Sequence, residues 1–384
     1  MEAHNADITI LVAPFGFGSL GKGLAIAEEF MSCGYSVKVL CDPVAQKVVE
    51  ASGIPTDSYE YRETLDLDDL HTGAVVSSGD IGTPVVRGRT PFVVVDSLFW
   101  LRGKWERLPS SDADAYIAQR FFIEPTKEAR MAIGDRLIFV DAILPYWAQN
   151  STAREPGELV VVYPGGMRSP VLTQEYQEAY LSWVTDTVTE AIRRADIDKD
   201  KLVAVIPPQL LSSAPTHKLA LYGKIVPAGV NVIGGLLEKA RCLVVAPGIE
   251  TMLEACAMGL APHYLPAYNG SHIPQLIAYR KAGVGDEICP SYAKEIQDFE
   301  AETDWLNKLT VDLSKKNLQS LSQPRFKEEA ISNLTNILRD KEKLIPKYPL
   351  GKFGARQIVD IVESLIRTSK TSREAELLSA KSRI

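Results

Sequence analysis

A strand-like apolar run, a glycine turn and a helical pattern follow one another twice along this chain. That repetition predicts an α/β protein of two Rossmann-like, doubly wound domains with a cleft between them. Three observations carry the prediction. The run Ile8–Ala13 (ITILVA) is continuous, apolar and β-branched, as a strand buried on both faces requires, and glycines follow it at once. Leu159–Tyr163 (LVVVY), followed by Pro164-Gly-Gly, repeats that opening after the polar break Asn150–Gly157 (NSTAREPG). A length of 384 residues with 46% hydrophobic and 24% charged residues suits two globular cores of ordinary size.

In the first half, Leu24–Met31 has helical spacing, Gly34 is its stop signal and Ser36–Cys41 is the next strand, which completes a βαβ unit. Further strands are expected at Ala74–Ser77, Phe92–Asp96, Ala115–Ala118 and Leu137–Val140. In the second half a long helix is expected over Gln174–Arg194, with strands at Leu202–Ile206, Leu243–Ala246 and Pro262–Leu265 and a helix around Leu253–Met258. The expected boundaries are a first domain at 1–150, a linker at 151–158, a second domain at 159–353, a terminal helix at 354–369 and a charged tail at 370–384, frayed or a peripheral helix.

A net charge of −7 argues against nucleic acid and anionic membrane as partners. The five cysteines, Cys33, Cys41, Cys242, Cys256 and Cys289, are odd in number and lack C-x-x-C spacing, so reduced thiols are expected. No apolar run reaches the ~18 residues that span a bilayer, and the N-terminus has no basic leader. A cytoplasmic protein, monomer or homodimer, is the expectation.

The first glycine loop, APFGFGSLGKG, fits two nucleotide patterns. As a phosphate loop it fails at Gly23, where a hydroxyl should hold magnesium, and Lys22 reads as a solvated residue of a first helical turn. As a dinucleotide loop it has Gly16, Gly18 and Gly21, with Asp42 ending the second strand, although Pro14 and Phe15 lengthen the turn and Asp42 equally fits a helix cap.

The second half is more informative. CLVVA runs into Pro247-Gly248-Ile249-Glu250-Thr251, which opens a helix bearing Glu254; PHYLP then ends at a polar loop with Asn269, His272 and Gln275. A helix start near Thr251 offers N–H groups to a pyrophosphate, Glu254 one turn in suits ribose hydroxyls, and the polar loop suits sugar hydroxyls.

"PGIETMLEACAMGLAP" followed by "LPAYNGSHIPQL…AYRKAGVG" resembles the GT-B glycosyltransferases, in particular the branch of the MurG-type cell-wall transferases and the natural-product, UDP-glycosyltransferase-type enzymes. The resemblance implies that Gly248, Ile249, Glu250 and Thr251 bind the donor diphosphate, Glu254 the ribose, and Asn269, His272 and Gln275 the sugar. The nucleotide base would lie on the backbone near Ile225 and Val226. Pro164–Ser169 matches the start of the donor domain, so Gly165 and Gly166 fall on the donor side. Phe15, Gly16, Phe17, Gly18 and Ser19 match the acceptor-side loop, and Gly354–Ile366 the terminal helix. Two positions depart from the pattern: Phe17 stands where many members carry a histidine base, and NGSHIPQ replaces the usual D-Q or H-Q pair.

With no histidine there, Asp96 at the end of the VVVD strand is the first candidate base, against a capping role; Asp141 is a weaker copy. His71 and His217 read as loop residues and His263 as core. Arg168 is the candidate partner of the leaving diphosphate, since no D-x-D metal motif is evident and Asp66–Asp69 reads as a solvated helix start. Phe99, Trp100 and Trp105 either line an acceptor pocket with Phe15 and Phe17 or fill the core.

The expected function is thus metal- and cofactor-independent transfer, inverting, of a sugar from a nucleoside-diphosphate donor to a small-molecule acceptor such as a natural product. The alternatives are a nucleotide-sugar epimerase of the same fold, a non-catalytic nucleotide-sugar-binding homologue, or an NAD(P)-dependent enzyme.

Overall fold

The structure is a computed structural model and describes residues 6–13, 18–50, 53–58, 65–79, 85–86, 88, 90–104, 106, 108–109, 112–150, 157–167, 171–229, 232–297, 306–340 and 350–381. The chain divides into two compact units, one formed by residues 1–103, 108–149 and 350–384, the other by 104–107 and 150–349.

In the first unit the chain runs β1 (Ile8–Val12), α1 (Gly18–Ser32), β2 (Val37–Cys41), α2 (Pro43–Glu50), β3 (Thr56–Ser58), β4 (Leu65–Asp66), β5 (Ala74–Ser78), β6 (Val85–Val86), β7 (Phe92–Asp96), β8 (Ala115–Gln119), α3 (Lys127–Ile133), β9 (Leu137–Val140) and α4 (Tyr146–Gln149). Seven strands form one sheet in the order β3-β2-β1-β5-β7-β8-β9, every pair parallel, while β4 and β6 pair separately. All five residues of β1, β5, β7 and β8 are buried, which is why those runs carry no polar alternation.

Phe99 and Trp100 belong to this core. Phe99 packs on Tyr116 and Phe139, and Trp100 stacks on Phe121 at 4.4 Å, so these rings fill the unit rather than line a pocket. Trp105 lies outside the described residues.

The last helix of the chain, at Gly354–Lys381, packs on α1 and carries the helical backbone through most of the charged tail. Its first residue must be glycine: a Cβ on Gly354 would lie 2.3 Å from the Asp141 carbonyl oxygen, and its N–H donates to the Ala142 carbonyl at 3.1 Å.

The second unit runs β10 (Leu159–Tyr163), α5 (Gln174–Ala195), β11 (Leu202–Ile206), α6 (Ala214–Leu219), β12 (Lys224–Pro227), α7 (Val232–Leu237), β13 (Ala240–Val245), α8 (Ile249–Ala257), β14 (Pro262–Tyr264), α9 (His272–Ala282), β15 (Asp286–Glu287), α10 (Pro290–Gln297), α11 (Leu306–Ser320) and α12 (Pro324–Arg339), so the terminal helix is α13. Its six strands lie in the order β12-β11-β10-β13-β14-β15, again all parallel. Thr173 caps α5, its hydroxyl accepting from the Tyr176 N–H, and Asp196 ends the helix at φ +55°.

Both sheets share one topology. The chain starts at a central strand, moves outward on one side, then returns to the other side of that strand. The reversal falls between β1 and β5 in one sheet and between β10 and β13 in the other. Ligands of doubly wound sheets bind at the carboxyl ends of the strands flanking such a reversal.

Candidate functional site

Within the second unit, β10, β13 and β14 are adjacent and parallel, so the loops that leave their carboxyl ends lie side by side. These are Pro164–Met167, Ala246–Gly248 and Leu265–Ser271, the segments carrying most of the expected donor residues.

The turn after β10 is tightly specified. Gly165 sits at φ +85°, and a Cβ there would meet the Tyr268 hydroxyl at 2.7 Å. Met167 is fully buried and held at φ +48°, a left-handed conformation that costs a side-chain-bearing residue about 1–2 kcal/mol. Its N–H donates to Tyr268 Oη at 3.1 Å, and Gln209 Nε2 donates to the Gly166 carbonyl at 3.1 Å. Arg168 lies outside the described residues.

The loop after β13 closes as a three-residue turn, with the Gly248 N–H donating to the Ala246 carbonyl at 2.6 Å. Gly248 is the N-cap of α8, which begins at Ile249, two residues before the start expected at Thr251. The N–H groups of a first helical turn lack intrahelical partners and carry the positive end of the helix dipole, and here they belong to Ile249, Glu250 and Thr251. Glu254 lies one turn further on. Burial raises the pKa of Tyr163, at the end of β10, and the charges of Tyr268, Glu254 and Glu250 raise it further, which places these four side chains in one electrostatic neighbourhood.

The third segment corrects the sequence reading. His272 and Gln275 do not lie in a polar loop: His272 is the first residue of α9 and Gln275 lies in its first turn. They are 6% and 3% exposed, yet His272 Nδ1 and Gln275 Oε1 have no hydrogen-bond partner among the described residues. Burial lowers the His272 pKa to about 3, so its imidazole is neutral near pH 7. Two buried, unpaired polar atoms at the start of a helix are costly unless a ligand or an ordered water meets them. Asn269 remains in the loop; its Oδ1 accepts from the Ser271 N–H at 3.0 Å and from the Thr310 hydroxyl at 3.4 Å, bonds that shape the turn.

Val226 lies on β12, the edge strand of this sheet, paired with Val205 on one side only.

In the first unit, Gly18 and Ser19 form the start of α1, so the acceptor-side loop is already helical there, while Phe15, Gly16 and Phe17 lie outside the described residues. Ser78 donates its hydroxyl to the Ser19 carbonyl at 2.7 Å. Lys22, expected in solvent, is only 3% exposed because α1 lays that face on the unit. Asp42 caps α2, accepting the Ala45 N–H at 3.2 Å, the capping role rather than a ribose contact.

Asp96 is not an open base. It is 3% exposed, and its carboxylate takes three donors: the Leu98 N–H at 2.8 Å, Arg102 Nε at 2.9 Å and the Tyr116 hydroxyl at 2.7 Å. Those bonds anchor the turn that follows β7. Asp141 pairs with Arg120 at 3.2 Å. His71, at φ +47°, and His217, on α6, are exposed, whereas His263 is buried in β14. Asp68 and Asp69 are exposed on a single 3-10 turn. The cysteines are free thiols, all buried except the half-buried Cys33. No helix among the described residues is long and apolar enough to cross a membrane.

Sequence reasoning missed Tyr268 and Tyr279. The Tyr279 hydroxyl donates to the Gly248 carbonyl at 3.4 Å, so one tyrosine reaches each glycine loop. No local signal in the sequence marks either of them.

No protein-family model and no curated protein matches the chain. Solved structures do. Os79 from O. sativa, in complex with U2F and trichothecene, is 11% identical over 93% of this chain and 100% of its own, with a TM-score of 0.50. MurG from Acinetobacter baumannii is 12% identical over 93% of this chain and 99% of its own, at 0.46. Arabidopsis thaliana UGT89C1 complexed with UDP-L-rhamnose is 11% identical over 88% and 100%, at 0.46. With its two parallel sheets of seven and six strands, the chain has the two-unit α/β fold of the GT-B glycosyltransferases.

Proposed function

We propose that this protein is a glycosyltransferase that moves a sugar from a nucleoside-diphosphate donor to a small-molecule acceptor. One observation carries the reading: His272 Nδ1 and Gln275 Oε1, buried and unpaired among the described residues, open the helix whose Tyr279 reaches the N-cap of α8. Sugar hydroxyls supply the hydrogen bonds these atoms lack, and the α8 N-terminus faces the diphosphate. Glu254 takes the ribose, and the base lies along Val226 at the sheet edge. The complexes named for Os79 and UGT89C1 agree with such a donor.

In this reaction the acceptor attacks the anomeric carbon, the glycosidic phosphate bond breaks, its electron pair leaves with the diphosphate, and the acceptor's proton passes to solvent water or to that diphosphate. The α8 N–H groups and Arg168 stabilise that charge without a metal, and inversion follows from a single displacement. Because Asp96 is buried and its carboxylate already takes three donors within the first unit, an amine or an acidic hydroxyl, which needs no strong base, suits this protein best as acceptor.

A thermal-shift panel of UDP-, dTDP- and GDP-sugars against NAD(P) tests the reading. Stabilisation by a nucleotide-sugar is expected; stabilisation by NAD(P) alone overturns it. Turnover of a labelled donor then separates transfer from isomerisation, since isomerised donor without transfer points to an epimerase.

A further inference from the structure

The side chain of Tyr268 spans two parts of the candidate site. Its hydroxyl accepts the Met167 N–H at 3.1 Å and lies against Gly165, while its ring meets Tyr180 edge-on at 5.3 Å and His272 at 4.5 Å. The two residues before it are also held: the Tyr180 hydroxyl donates to the Pro266 carbonyl at 2.7 Å, and Asn317 Nδ2 to the Ala267 carbonyl at 2.8 Å. Met167 would relax from φ +48° without such a restraint. Tyr279, two turns further along α9, stacks on Tyr264 at 5.0 Å and reaches the carbonyl of Gly248, the N-cap of α8. The loop after β14 and the helix that follows it therefore grip both neighbouring glycine loops, the first through Tyr268 and the second through Tyr279.

We propose that Tyr268 and Tyr279 are positioning residues: Tyr268 ties the loop after β10 to the loop after β14, and Tyr279 ties the loop after β13 to α9, so that the other backbone N–H groups of those loops and of the first turn of α8 stand preset for a diphosphate. The proposal rests on the donor-site reading and adds to it the device that holds the phosphate loops in shape. Neither hydroxyl needs to touch the ligand. A phenylalanine at either position keeps the ring contacts and removes only the tie.

The test compares wild type with Tyr268→Phe and Tyr279→Phe, using calorimetric titration with UDP, dTDP and GDP and ligand-observed NMR with the matching nucleosides. Tyr268→Phe is expected to weaken the preferred diphosphate roughly fivefold, the worth of one hydrogen bond, and to leave the nucleoside unchanged. Tyr279→Phe, with its longer bond, should show a smaller loss of the same kind. A role confined to folding would lower thermal stability with no such split. Equal diphosphate affinity in wild type and Tyr268→Phe, or an equal loss for nucleoside and diphosphate, overturns the proposal. If wild type binds none of the three diphosphates, the donor-site reading itself fails, and this inference with it.

Discussion

Replacing Gly165 by alanine tests the geometry of the turn after β10. At φ +85° an L-residue pays about 1–2 kcal/mol relative to glycine. The added Cβ would also meet Tyr268 Oη at 2.7 Å and Ala246 Cβ at 3.2 Å. The hydroxyl is the end of a side chain, but its ring is wedged between Tyr180 and His272, so it yields only by leaving Met167. Leaving a buried N–H unpaired costs about 1–3 kcal/mol, and Met167 is fully buried. Together these give a destabilisation of about 3 kcal/mol, read as a fall in the urea midpoint followed by circular dichroism. Gly248→Ala is the matched control: its nearest neighbour is the Ala246 carbonyl at 4.0 Å and its φ is −80°, so stability should fall by no more than about 1 kcal/mol, the preference for glycine over alanine at an N-cap. On the proposed donor site its methyl group would instead crowd the diphosphate, and the expected outcome is binding weakened about tenfold. A Gly165→Ala protein within about 0.5 kcal/mol of wild type would refute the description of the turn.

Three further outcomes are expected. Asp96→Ala should destabilise the first unit by about 3 kcal/mol, since it removes the acceptor shared by the partly buried Arg102 guanidinium and the buried Tyr116 hydroxyl; an Asp96→Asn protein of wild-type stability that has lost turnover would restore Asp96 as a base. His272 has a folded pKa of about 3 against an ordinary 6.5, so the unfolded chain binds more protons between those values and stability falls as pH drops below 6.5. His272→Asn should thus lose about 2 kcal/mol less than wild type between pH 7 and pH 5 in urea titrations, and identical pH profiles would contradict a buried neutral imidazole. Glu254→Ala should weaken nucleotide-sugar binding by about 1–3 kcal/mol by calorimetry; unchanged affinity removes Glu254 from the ribose.

The architecture was legible because its signals are local. A strand buried on both faces must be apolar at every position, so ITILVA, LVVVY and LVAVI announce a parallel sheet without reference to anything distant. A turn that needs positive φ announces itself by glycine, as at Gly34 and Gly165. The candidate donor loops were legible for the same reason, as glycine turns between a strand and a helix.

What each side chain does there was not legible, because a hydrogen bond's partner is chosen by contacts far along the chain. Tyr268 and Met167 are 101 residues apart, and Asp96 finds Tyr116 across a neighbouring strand. Sequence alone determined two doubly wound units and placed their loops at the strand ends. Tertiary packing decided that Asp96 anchors a turn, that Lys22 is buried, that His272 and Gln275 open a helix with unpaired atoms, and that two tyrosines hold the glycine loops. Backbone pattern follows from the burial of contiguous residues, whereas the state of a polar group follows from whichever distant neighbours shut it away from water.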